Sequence, residues 1–149
     1  MLSSSDCPSG WREFNGKCYK FVDESTTWDK ALRECQSLEG TLASIPNNAT
    51  NEFLLSIATK DCMVGGLKST DGTWTWTDGS TWSFTNWAPG EPSNVSNQRW
   101  LWMFGPNNEE WKAGKWNDGS QSWTPGTYGY ICQKSSKGTY INIKYIPYF

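Results

Sequence analysis

Four oxygen-bearing side chains stand in two turn-rich segments of this 149-residue chain: Glu91 and Ser93 within Gly90-Glu91-Pro92-Ser93, and Asn117 and Asp118 within Trp116-Asn117-Asp118-Gly119. Two carboxylates, an amide oxygen and a hydroxyl are hard donors, a set that suits Ca²⁺ with its roughly six to eight oxygen ligands and does not suit zinc or copper. The spacing alone leaves two readings open, because GEPS and NDG are also ordinary turn sequences. Convergence of the two segments would make an ion site, and separation would leave two turns. The chain has no His, which removes Ser-His-Asp, Cys-His and His-ligated zinc chemistry. Glu91 with Asp118, or the adjacent Glu109 and Glu110, could be written as an acid/base pair of the glycosidase kind. Adjacent exposed acids are ordinarily just solvated, however, and the first pair reads better as cation ligands, so no enzyme is expected.

The composition narrows the partners. Thirteen basic and 15 acidic residues give a net charge of -2 with no basic run, so the electrostatics of nucleic-acid binding are missing. No stretch approaches the roughly 18 to 20 apolar residues of a membrane span, and no membrane insertion is expected. The five cysteines, Cys7, Cys18, Cys35, Cys62 and Cys132, are not spaced as zinc-binding CxxC pairs. Together with the sequons Asn48-Ala49-Thr50 and Asn94-Val95-Ser96 they point to an oxidised, secreted or extracellular protein with two disulfides and one Cys left over. Residues 1–6 lack a signal peptide's basic and apolar regions and read as a leader, so either a signal has been removed or the chain is a domain cut from a longer one.

The elements that must position the oxygen donors can be read by period. Cys18 to Val22 reads as a strand with Tyr19 and Phe21 on one face, and the local Cys7-to-Cys18 loop suits a disulfide stapling a hairpin. In TTWDKALRECQSLEG, residues Trp28, Ala31, Leu32, Cys35 and Leu38 recur at helical spacing, with Thr26 or Thr27 to cap and Gly40 to stop. A second, shorter helix carries Phe53, Leu54 and Ile57 behind a cap at Asn48 or Thr50. CMVGGL, Trp74 to Trp76, Trp100 to Phe104 and Gly129 to Gln133 read as strands, and Asp78-Gly79 as a turn. Nine of the 11 tryptophans lie between Trp74 and Trp123, in a stretch otherwise rich in Gly, Pro, Asn and Ser. Such a long loop with so many indoles is ordered and functional. The tail from Thr139 to Tyr148 alternates as an additional edge strand.

The ordered set CPSGW, KCYKF, the helix bearing Cys35, CMVGGL, TWTWTDGS, NWAPGEPSN, KWNDG and YICQ resembles the C-type lectin-like domain over residues 7–134, leaving 135–149 as a C-terminal extension. The resemblance implies an α+β fold: two helices flanking two small antiparallel sheets, with a long structured calcium and sugar loop. It implies the disulfides Cys7–Cys18 and Cys35–Cys132. The family's second core disulfide is missing at both ends, Trp100 and about Gln121 standing in its places. Cys62 is then unpaired, either a buried small hydrophobe or an intermolecular bridge.

Glu91-Pro92-Ser93 looks like the family's EPN tripeptide, and Trp116-Asn117-Asp118 matches its WND motif. By that resemblance Glu91, Ser93, Gln98, Asn117 and Asp118 would hold Ca²⁺, and Glu91, Ser93, Asn117 and Asp118 would also bind two vicinal sugar hydroxyls. A cis Glu91–Pro92 bond is implied as well. Ser93 replaces an Asn and Gln98 an acid, so weaker, millimolar binding is expected. With only Asp71 left of the acids it needs, the family's auxiliary calcium site is expected to be absent. Trp74, Trp76, Trp87, Trp100, Trp102 and Trp116 are assigned to the core, whereas Trp111 and Trp123 lie in polar stretches and are the candidates to pack on a sugar face. The expected function is calcium-dependent carbohydrate binding, of mannose type more than galactose type, with homo-oligomerisation open. The alternative is a lectin-like domain that binds protein or another surface without sugar.

Overall fold

The computed structural model describes residues 6–122 and 127–136. Trp123 and the additional edge strand expected in the tail lie outside the described residues. The chain opens with a hairpin, β1 (Arg12–Phe14) and β2 (Lys17–Val22), turning at Asn15-Gly16 and stapled by Cys7–Cys18. Helix α1 (Trp28–Ser37), strand β3 (Thr41–Leu42) and helix α2 (Asn48–Ile57) follow. Next come β4 (Cys62–Lys68), β5 (Trp74–Trp76), β6 (Trp100–Met103), β7 (Trp116–Gly119) and β8 (Gly129–Ser135).

The strands make one sheet in the order β1-β2-β8-β4-β6-β7, with β3 on β8 and β5 on β4. The two antiparallel sheets expected from the resemblance are therefore joined. The seam is a short parallel pairing of β4 with β8, Cys62 against Gly129 and Met63 against Tyr130. Strand alternation then sorts side chains to two cores. On the α2 face lie Tyr19, Cys62, Val64, Leu101, Met103, Trp116 and Ile131; on the α1 face lie Met63, Trp102, Tyr130 and Cys132 with Trp28, Ala31 and Cys35. The disulfide Cys35–Cys132 ties α1 to β8 within the second core. Cys62 is free and fully buried, and burial pushes its thiol pKa upward, so it packs as a small apolar side chain.

Of the local expectations, one cap holds and two shift. Thr27 caps α1, accepting from the Lys30 amide. The left-handed position after the helix falls on Glu39 (φ 68°), and Gly40 is needed for a different reason: a Cβ there would sit 2.2 Å from the Gln133 carbonyl oxygen. The cap of α2 is Asn47, one residue before the expected pair, because its extended backbone lets the side-chain oxygen accept from the Thr50 amide. At the place of the missing second disulfide, Gln121 holds the start of α1 instead. Its carbonyl accepts from Trp28 N–H at 2.8 Å and its side-chain oxygen from Asp29 N–H at 3.1 Å, satisfying two otherwise orphaned donors.

Candidate functional site

Asn117 and Asp118 belong to strand β7 and not to a loop: Asp118 pairs with Leu101 and Asn117 with Trp102 of β6. The segment carrying Glu91 is drawn to that strand by its own backbone. Trp87 forms a parallel bridge to Trp116, the Trp116 amide donates to the Asn86 carbonyl and Ala88 N–H to the Trp116 carbonyl, each at 2.9 Å. Asn51 fixes the strand from behind, accepting from the Trp116 indole at 2.7 Å and donating to the Gly114 carbonyl at 2.9 Å. The sequence signal for Asn51 was its place beside Leu54 on the buried face of α2.

The two segments converge. After Gly90 turns the chain with φ 83°, the Glu91–Pro92 bond is cis. Asp118, fully buried, accepts from Ser93 N–H at 2.7 Å on Oδ1, and on Oδ2 from Asn94 N–H and the Ser93 hydroxyl, both at 3.0 Å. That hydroxyl also meets Gln98 Oε1, so one proton faces two acceptors and one of them goes without. The Glu91 carboxyl lies against that of Asp118, and Glu91 Oε1 is buried with no hydrogen-bond partner. Burial first, and then the Asp118 carboxylate, raise the Glu91 pKa to about 7. Burial is also the largest influence on Asp118 and opposes its ionisation. The Ser93 amide, Glu91, the Ser93 hydroxyl and the Asn94 amide together outweigh it and hold Asp118 below the ordinary carboxylate range.

The arrangement suits a hard cation, weakly held. Its donors are all oxygens, and the orphaned Glu91 Oε1 is a buried acceptor that only a proton, a donor or an ion can satisfy. Asp118 is less available, since three protein donors already occupy it. Asn117 is half-buried and its side chain makes no hydrogen bond among the described residues. No group of three or more His, Cys, Asp or Glu that could hold a metal ion occurs among the described residues.

Of the other residues singled out, Gln98 joins the cluster through Ser93. Trp111 does not. It is 44% exposed, stacks on Phe104 at 6.2 Å, and sits in the connection beyond the Met103–Trp116 pair, at the opposite end of the β6–β7 hairpin from Asp118. Trp76, Trp102 and Trp116 are buried, and Trp74, Trp87 and Trp100 pack partly buried against the cores. No helix among the described residues is long and apolar enough to cross a membrane.

Comparison with known proteins places this geometry. The family model of the lectin C-type domain matches residues 24–134. Ladderlectin of Oncorhynchus mykiss is 35% identical over 97 residues, which cover 60% of this chain and 51% of that protein, so the chain spans about half its length. The C-type carbohydrate-recognition domain of cow CD23, solved in the presence of a GlcNAc2Man3 oligosaccharide, superposes with a TM-score of 0.76 at 27% identity, covering 89% of this chain and 98% of that one. A calcium-independent type II antifreeze protein superposes with a TM-score of 0.78 at 25% identity, covering 91% and 99%.

Proposed function

The chain belongs to the lectin C-type domain family, and from that membership we propose that it is a calcium-dependent carbohydrate-binding module. The observation that carries the reading is the meeting of Glu91 and Asp118 with Glu91 Oε1 buried and unpartnered. Two carboxylates in contact repel when both are ionised, and a cation between them relieves that repulsion. When bound, calcium supplies that charge and open coordination positions for two vicinal hydroxyls. Glu91 would ligate it and accept a hydrogen bond from one hydroxyl, Asp118 would ligate it while Ser93 and Asn94 hold its orientation, and Asn117 and Gln98 would offer amide oxygens. The acid-first tripeptide Glu91-Pro92-Ser93 supports mannose-type over galactose-type sugars. The disulfides Cys7–Cys18 and Cys35–Cys132, with two sequons, support an extracellular setting.

A second reading has its own support. Asp118 is already saturated by Ser93 and Asn94, so the loop is closed without an ion, as a domain binding a protein or other surface without calcium or sugar would need. Melting in calcium and in chelator separates the two. At calcium about ten-fold above its Kd the expected stabilisation is about 1.4 kcal/mol, a rise of about 3 to 6 °C. Asp118→Ala should remove the rise, and binding on a glycan array should disappear in chelator. An unchanged melting temperature at saturating millimolar calcium would hand the assignment to the second reading.

A further inference from the structure

Beside this loop the structure holds two cations without anions. Lys68 closes β4 and Arg99 immediately precedes β6. They are tied to each other reciprocally, Lys68 N–H to the Arg99 carbonyl at 2.8 Å and Arg99 Nε to the Lys68 carbonyl at 2.9 Å. With Ser69, Thr70, Gly72 and Ser96 they line a cavity of about 330 Å³. Lys68 is only 8% exposed, so its stem is packed away. Among the described residues the ion pairs are Lys17–Asp78 and Lys60–Asp23, and neither Lys68 nor Arg99 has a carboxylate partner. Asp71, the acid nearest in sequence, spends Oδ1 on its own turn, accepting from the Ser69 hydroxyl and from Thr73 N–H.

Topology sets this cavity next to the Glu91–Asp118 cluster. Ser96 is three residues from Ser93 on one loop, and Trp100, next to Arg99, pairs with Leu67 on one side and Gly119 on the other. We propose that the Lys68–Arg99 cavity binds the sulfate ester of an acidic glycan whose neighbouring sugar occupies the Glu91–Asp118 site; the second clause rests on the function proposed above. The guanidinium offers a planar fork, the ammonium a point charge, and Thr70 and Ser96 hydroxyl donors. A tetrahedral oxyanion presents oxygens to all of them at once, and a planar carboxylate satisfies mainly the fork.

The test compares 6-sulfated N-acetylglucosamine, sialylated lactose and their neutral parents on the intact chain, and separately titrates inorganic sulfate in chelator against chloride at matched ionic strength. The sulfated sugar should bind about ten-fold more tightly than its parent, with a preference that weakens as salt rises. Lys68→Met, which keeps the buried stem, and Arg99→Gln should each bring sulfated and neutral sugars to parity while leaving the calcium-induced melting shift in place. Should Arg99→Gln fail to fold, Lys68→Met carries the comparison alone. A melting rise in sulfate that Lys68→Met removes supports the cavity even where the calcium reading fails. No preference for the sulfated sugar, or a preference surviving in Lys68→Met, overturns the proposal, and tighter binding of the sialylated sugar overturns the assignment to sulfate.

Discussion

Two carboxylates in this protein sit in opposite circumstances. Asp78 has every lone pair answered: Oδ2 accepts from the Ser44 hydroxyl at 2.5 Å and from Gln133 Nε2 at 2.9 Å, Oδ1 from Ser80 N–H at 2.9 Å and the Ser80 hydroxyl at 2.6 Å, and Lys17 Nζ stands 3.7 Å away. Those donors overcome burial and bring its pKa to about 2. Glu91 faces another acid, and its Oε1 has no partner. The first is a knot that fastens β8 and the segment after β3 to the turn after β5, complete as it stands. The second leaves a buried acceptor unanswered, which the proposed calcium would answer. The number of carboxylates does not distinguish them; the number of donors around each does.

Removing the knot should have the largest effect. Asp78→Ala strips acceptors from Ser44, Ser80 and Gln133 together and is expected to cost about 3 kcal/mol, a fall in melting temperature of about 10 °C. A loss below a third of that would mean that water takes over the knot and that the contrast with Glu91 is overstated. Acid should expose the next effect. The folded pKa of Asp78 is depressed, so its contribution is fully present above the ordinary carboxylate pKa and is lost as pH falls through about 4 to about 2. Solvent screens this partly exposed group, so that loss is about 1 kcal/mol, and in Asp78→Asn the slope of stability against pH over this window should flatten. An identical slope would assign the acid sensitivity to other groups.

The smallest change in stability belongs to Glu91. Glu91→Gln replaces an acid that faces Asp118 by an amide able to donate to it. In chelator the variant should melt within about 1 kcal/mol of the parent, or slightly above it. Its response to calcium should nevertheless be gone. A large destabilisation in chelator would show that Glu91 is as structural as Asp78, and an intact calcium response would place the ion elsewhere.

How much of this was legible in the sequence depends on the range of the interaction. Helices α1 and α2 declared themselves through Trp28, Ala31, Cys35 and Leu54, because helical periodicity is local. The Glu91, Ser93 and Asp118 convergence was legible through two short motifs, each a candidate for an ordinary turn until the Trp87–Trp116 bridge brings them together. The Asp78 knot was not. Asp78-Gly79 reads as a turn, and its partners Ser44 and Gln133 lie 34 and 55 residues away. Trp111 was placed beside the site on polarity alone, since sequence gives no means of telling which end of a hairpin a residue occupies. Lys68 and Arg99 escaped notice because a cation looks ordinary until the acids around it have been counted in space.

The indoles that pack behind the site have a consequence of their own. Trp74, Trp76, Trp82, Trp87 and Trp116 form a chain of rings with centroids 4.4 to 6.4 Å apart. At such separations their electronic transitions no longer act singly. Excitation is shared, and the strong far-ultraviolet indole transitions should give circular dichroism with the paired positive and negative lobes of coupled chromophores. Trp87 is bridged to Trp116, and Trp116 adjoins Asn117 and Asp118, so the backbone that carries the oxygen donors also carries two members of this antenna. A displacement of that loop by a fraction of a ring width changes the coupling. The protein therefore holds an intrinsic optical gauge of its own site, legible without any label.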